Sequence, residues 1–129
     1  MRSEIKHVDD DIAILRLRGK ITIAVGDIVL REDVHRLLSQ GKKGIIVDLR
    51  EVTALDSSGN GELTSAYTTA ANSGAKLGLI VKPGGKIWDI LEITQVKDFH
   101  RIFSSEEEAI KGIKSEGFSE FYGLNVDQK

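Results

Sequence analysis

The densest chemistry in the chain lies in Asp56-Ser57-Ser58-Gly59-Asn60-Gly61, where a carboxylate and two hydroxyls stand just ahead of two glycines. A helical pattern follows. Leu63, Ala66, Tyr67, Ala70 and Ala71 recur at i, i+3, i+4, i+7 and i+8, and Gly74 closes the stretch. The spacing allows two uses of these side chains. In the first, Asp56, Ser57 or Ser58 caps the helix by accepting from its first free N–H groups, and the glycines permit a tight bend. The second draws on the same donors. A helix N-terminus carries unpaired N–H groups and about half a positive charge, so it can hold an anion. A serine there can carry a phosphoryl group without disrupting its own fold, and that group adds about −1.5 to −2 charges at pH 7. On an exposed loop such a group switches a partner surface rather than stability. Spacing alone leaves both uses open.

Enzymatic uses of the same residues fail on pattern. A P-loop needs Gly-x-x-x-x-Gly-Lys-Ser/Thr, and no such run occurs. A dinucleotide loop needs a third glycine after Gly59 and Gly61, where Thr64 stands. A nucleophile elbow centred on Ser57 needs glycine at the position of Leu55. Its base would be His7, His35 or His100, none of which has a catalytic neighbourhood. Asp98 and His100, two apart, read as same-face neighbours on a strand. Asp9-Asp10-Asp11 lacks metal-ligand spacing and reads as a solvated turn. Lys82-Pro83-Gly84-Gly85-Lys86 reads as a turn before a helix, with anion cradling as the sharper alternative.

The elements that would position Ser57 are legible in outline. Ile5 to Arg18 reads as a hairpin through the Asp9-Asp10-Asp11 turn. Leu30, Val34, Leu37 and Leu38 predict a helix from about Gly26 to Gln40. Gly44-Ile45-Ile46-Val47-Asp48-Leu49 predicts a strand covered on both faces, and the Asp56–Gly61 stretch a loop after it. Leu77-Gly78-Leu79-Ile80-Val81 predicts another strand, Ile87, Ile90 and Leu91 a short helix, and Phe99 to Phe103 a short strand. Ser104-Ser105-Glu106-Glu107-Glu108 opens a last helix, with a capping box from Ser104 to Glu107 or from Ser105 to Glu108. The resulting order, ββαβαβαβα, implies an α/β domain with a mostly parallel sheet and an antiparallel N-terminal hairpin. In such sheets partners meet the loops at the carboxyl ends of the strands, where Asp48 to Gly61 lies. Trp88 falls off the apolar stripe of its helix, which suits either an interface anchor or the rim of the core. Phe118, Phe121 and Tyr122 either fold back on the domain or meet a second chain.

Composition narrows the partners. The 129 residues carry 18 basic and 20 acidic side chains, a net charge of −2. That balance gives no electrostatic reason to bind nucleic acid or an anionic membrane. The absence of cysteine removes disulfides, thiolate nucleophiles and Cys-based metal sites. No apolar run reaches the roughly 18 residues of a membrane span, and the N-terminus has no signal-peptide pattern. The cytoplasm is the expected location.

Gly44-Ile45-Ile46-Val47-Asp48-Leu49, then Val52 and Asp56-Ser57-Ser58-Gly59, resembles the STAS domain, above all the bacterial anti-sigma factor antagonists. Gly19-Lys20-Ile21-Thr22, Gly74 with Lys76-Leu77, and Phe103 to Ile110 extend the resemblance. It implies one STAS-like domain over residues 4–114 and a C-terminal extension over residues 115–129. It also implies a non-catalytic regulator without a cofactor or metal. Such a protein binds an anti-sigma factor that is also a serine kinase, and so frees a sigma factor for transcription. The kinase phosphorylates the serine after the aspartate, here Ser57, and a PP2C-type phosphatase reverses this. By the same resemblance Asp56, Ser57, Ser58, Gly59 and Asn60 form the partner-binding loop. Asn60 and Glu62 stand where the family usually has apolar residues. Some STAS domains serve instead as adaptors in larger signalling or transporter complexes, without a phosphate cycle.

Overall fold

The computed structural model describes residues 1–95 and 101–115. Asp98, His100 and the aromatic cluster at Phe118, Phe121 and Tyr122 lie outside the described residues, as does nearly all of the 115–129 extension. The element order is β1 (Arg2–His7), β2 (Ile12–Ile21), α1 (Gly26–Ser39), β3 (Gly44–Leu55), α2 (Ser57–Asn72), β4 (Lys76–Ile80), α3 (Lys86–Ile93), β5 (Arg101–Phe103) and α4 (Glu106–Ser115). This is the expected ββαβαβαβα order.

One five-stranded sheet runs in sequence order, β1-β2-β3-β4-β5. The β1–β2 pair is antiparallel, with Ile5 opposite Leu15, and the other pairs are parallel. Leu15, Val47, Leu79 and Ile102 lie opposite one another across β2 to β5 and point to one face. There they pack with Leu30, Val34 and Leu37 of α1, Leu63, Ala66 and Ala70 of α2, and Ile87 and Leu91 of α3. The alternate positions Ile12, Ile14, Ile46 and Ile80 point to the other face, which Ala109 and Ile113 of α4 cover. The two-sided burial explains why β3 and β4 read as unbroken apolar runs rather than alternating ones.

Strand lengths decide where the site sits. β3 pairs with β4 only from Gly44 to Asp48. It continues beside β2 to Leu55, across register shifts between Arg16 and Arg18 and between Gly19 and Lys20. The sequence pattern ends this strand at Leu49, because the alternation loses its apolar character once β4 no longer covers the edge. Val52 and Leu55 remain buried on the face carrying α1 to α3. The chain leaves this projecting β2–β3 pair directly into α2.

The α4 face ties to the hairpin through charge. Glu106, in the first turn of α4, accepts from Lys6 at 3.2 Å and from Arg16 Nε at 2.9 Å, and Arg50 lies 3.6 Å away. Arg50 in turn holds Asp48 at 2.7 Å. Burial pushes the Glu106 carboxyl up, but hydrogen bonds from Arg16 and Lys6 outweigh it and hold the group below its ordinary value. Ser105 caps α4 by accepting from Glu108 N–H at 3.1 Å. The Glu108 carboxylate reaches back to Ser104, at 3.2 Å from its N–H and 2.6 Å from its hydroxyl. Of the two expected capping boxes, the one from Ser105 to Glu108 forms, displaced by one residue on its return arm.

Candidate docking and modification site

Asp56 is the cap of α2. Its backbone is extended (φ −95°, ψ −174°), and its Oδ1 accepts from the Gly59 N–H at 2.9 Å. The helix therefore begins at Ser57, not after the glycines as the loop expectation had it. The reason is local: the carboxylate satisfies a first-turn donor, the Gly59 N–H itself, so the glycines fall inside the helix. The other carboxylate oxygen, Oδ2, accepts from the Ile23 N–H at 3.0 Å, in the segment joining β2 to α1. These two backbone donors, Gly59 first and then Ile23, lower the Asp56 pKa. Asp56 thus holds two chain segments together as an anion.

The five residues expected to form the partner-binding loop occupy one helical turn in unequal environments. Ser57 is exposed, Asp56, Ser58 and Asn60 are half-buried, and Gly59 is buried. The Asn60 N–H donates to the Asp56 carbonyl at 2.8 Å, while its Oδ1 is buried without a hydrogen bond among the described residues. Gly59 lies against the end of β2. A Cβ there would stand 2.1 Å from the Ile21 carbonyl oxygen and 2.9 Å from side-chain carbons of Ile21 and Leu55. Gly26, at the start of α1, presses on the same strand end, with a Cβ position 2.3 Å from the Lys20 carbonyl. The two helices thus converge on one backbone stretch and present their N-terminal turns side by side. Glu62 fits this picture. It is buried on α2 and receives Arg31 of α1 at 3.0 Å, so an ion pair joins the two helices.

Sequence reading missed the neighbours of Ser57. Ile23 is 66% exposed, Val25 51% and Ile28 39%, in the segment that Asp56 clips to α2 and in the first turn of α1. Ala24 between them has φ +68°, a left-handed conformation that costs a non-glycine residue about 1–3 kcal/mol. The signal was available in Ile21-Thr22-Ile23-Ala24-Val25, a run too apolar for a connection that no element covers. An exposed hydroxyl, a helix N-terminus and three exposed apolar side chains thus lie in the two segments that Asp56 joins.

The other candidates stand apart from this turn. His7 and His35 are exposed on β1 and α1. Asp9 uses its carboxylate to accept from the Asp11 and Ile12 N–H groups at 2.9 and 2.8 Å, which shapes the hairpin turn. Arg50, Lys82 and Lys86 line a hollow of about 180 Å³ beside the Lys82–Lys86 turn, and Lys86 donates to the Thr53 carbonyl at 3.4 Å. Among the described residues no group of three or more His, Cys, Asp or Glu side chains is arranged to hold a metal. No described helix is long and apolar enough to cross a membrane. Trp88 is half-buried and packs on the main core from its rim.

Comparison with known proteins agrees with this architecture. The STAS domain family model matches residues 4–109. A search of the curated proteins found no match. Among solved structures, a putative anti-sigma factor antagonist from Thermotoga maritima superposes with a TM-score of 0.77 at 22% identity, covering 87% of this chain and 94% of its own. An anti-sigma factor antagonist from Mycobacterium paratuberculosis gives 0.76 at 13% identity, covering 88% and 93%. The phosphorylated form of the Bacillus cell-fate determinant SpoIIAA gives 0.66 at 18% identity, covering 88% and 100%. Over residues 4–109 and through its five-stranded mixed sheet, this chain belongs to the STAS domain family.

Proposed function

We propose that the chain is an anti-sigma factor antagonist, a binding module switched by phosphorylation of Ser57. In its unmodified form it sequesters an anti-sigma factor serine kinase, and so releases a sigma factor for transcription in the cytoplasm. The kinase transfers the γ-phosphoryl group of ATP to the Ser57 hydroxyl. A PP2C-type phosphatase removes it. The chain itself performs no catalysis. One observation carries the reading: Ser57 is exposed on the first turn of α2, beside exposed Ile23, Val25 and Ile28. Asp56, Ser58, Gly59 and Asn60 shape and border the contact. Asp56 does so by holding the β2–α1 segment in place, since both its oxygens already accept backbone hydrogen bonds.

The switch follows from charge. A phosphate at the N-terminus of α2 faces the positive end of the helix dipole, so the free domain tolerates it. In a complex, the same group enters a contact flanked by apolar side chains, next to the Asp56 carboxylate. A desolvated charge without a partner costs several kcal/mol, and each 1.4 kcal/mol is tenfold in affinity.

The test is incubation with ATP and an anti-sigma factor serine kinase from the same organism, read by intact-mass and peptide mass spectrometry. Wild type is expected to gain one phosphoryl group, on Ser57. Ser57→Ala is expected to bind the kinase and stay unmodified, and Ser57→Asp to bind at least about tenfold more weakly. Modification of Ser57→Ala to the wild-type extent rejects the assignment. Kinase binding without any phosphate transfer would instead identify an adaptor subunit of a larger complex.

A further inference from the structure

α4 is the single helix on its face of the sheet among the described residues, and it leaves an apolar hollow at the β5 edge. The hollow measures about 530 Å³ and is walled by Val81, Pro83, Trp88, Ile102 and Phe103, with Gly112 at its base. Gly112 is there because the Phe103 ring lies on the helix backbone, 2.3 Å from where a Cβ would sit. The size falls in the range of about 300–1,000 Å³ that organic side groups and small ligands occupy.

The chain supplies its own candidate for the space. Ser115, the last residue of α4, lines the same hollow. The sequence that follows, Glu116-Gly117-Phe118-Ser119-Glu120-Phe121-Tyr122-Gly123-Leu124, is rich in aromatic side chains. Phe118 comes three residues after Ser115, so an extended chain carries it about 10 Å from the rim. An aromatic side chain buries about 150–250 Å² when it finds an apolar seat. Lys111 and Glu108 both line the hollow, so its rim carries no net charge. Glu108 already accepts from Ser104, whereas Lys111 makes no ion pair among the described residues and is the group that Glu116 or Glu120, which flank Phe118, can pair with.

We propose that residues 116–129 dock in this hollow, placing Phe118 and Phe121 against Pro83 and Trp88 and so covering the β5 edge of the same molecule. The proposal is independent of Ser57. Trp88 is the chain's one tryptophan and forms a wall of the hollow, so it reports directly. The experiment compares full-length wild type with full-length F118S/F121S/Y122S by tryptophan emission and acrylamide quenching. The variant is expected to show red-shifted emission and stronger quenching, with an unchanged far-UV circular dichroism spectrum. A synthetic peptide of residues 116–129 is expected to reverse both changes, and Lys111→Glu in the variant to weaken that rescue. Nuclear Overhauser effects between the Trp88 indole and the Phe118 or Phe121 ring in wild type are the second expected sign. Identical emission and quenching in the two proteins would overturn the proposal and leave the hollow to another occupant. Protection that disappears on dilution, in step with dissociation of a dimer by sedimentation, would overturn it in favour of a second copy.

Discussion

Two glycines in the first turns of α2 respond oppositely to the same substitution. Gly59→Ala places a methyl group 2.1 Å from the Ile21 carbonyl oxygen, well inside contact distance, and the neighbour is backbone. α2 must then lift from β2, and with backbone as the obstacle the cost falls in the upper part of the overpacking range, about 2–3 kcal/mol. Alanine returns about 1 kcal/mol through its better helix propensity. The net expectation is a loss of about 1–2 kcal/mol, or roughly 5–10 °C in Tm for a domain of this size. Gly61→Ala meets nothing within 4 Å, so only the propensity gain remains. It should stabilise by about 0.5–1 kcal/mol. Thermal and urea unfolding of wild type and both variants reads the comparison. The lifted turn carries Ser57, so Gly59→Ala should also slow the phosphoryl transfer proposed above while Gly61→Ala leaves it near wild type. Equal stabilisation by both substitutions would refute the claim that close approach to β2 selects glycine at 59.

Glu106→Gln removes the anion that Lys6 and Arg16 share, and should destabilise by about 1–2 kcal/mol, less at high salt because both cations are partly solvated. The Glu106 pKa is depressed in the fold, so its contribution is complete above the unfolded value and is lost as pH falls below about 4. Urea midpoints for wild type and Glu106→Gln should therefore converge between neutral pH and acid. Asp56 is depressed in the same direction by backbone donors. Asp56→Asn should remove part of the acid sensitivity and loosen the β2–α1 segment, seen as faster hydrogen exchange at the Ile23 amide.

Element order was legible because each element carries its own periodicity, as in Leu30, Val34 and Leu37 of α1 or the unbroken Ile45-Ile46-Val47 of β3. The start of α2 was not. Glycines at 59 and 61 argue for a loop on propensity, and tertiary contact with Ile21 reverses that argument. The Ser57 hydroxyl was legible as a candidate because its residue type and place before a helix suffice. Its apolar neighbours were hidden, since Ile23 and Val25 look like a strand's continuation until the fold leaves them uncovered. Glu62 was read as a polar intrusion, because nothing local announces its partner Arg31, 31 residues away.

The overhang of β3 beyond β4 has an architectural consequence. From Arg50 onward the strand pairs with β2 alone, so the turn bearing Ser57 is mounted on a two-stranded overhang that α3 braces through Lys86 and the Thr53 carbonyl. Neither β4 nor β5 pairs with that overhang, since β4 meets β3 only from Gly44 to Asp48. An appendage on that flank, such as the docking proposed for the segment after Ser115, would leave the strand pairing beneath Ser57 unchanged.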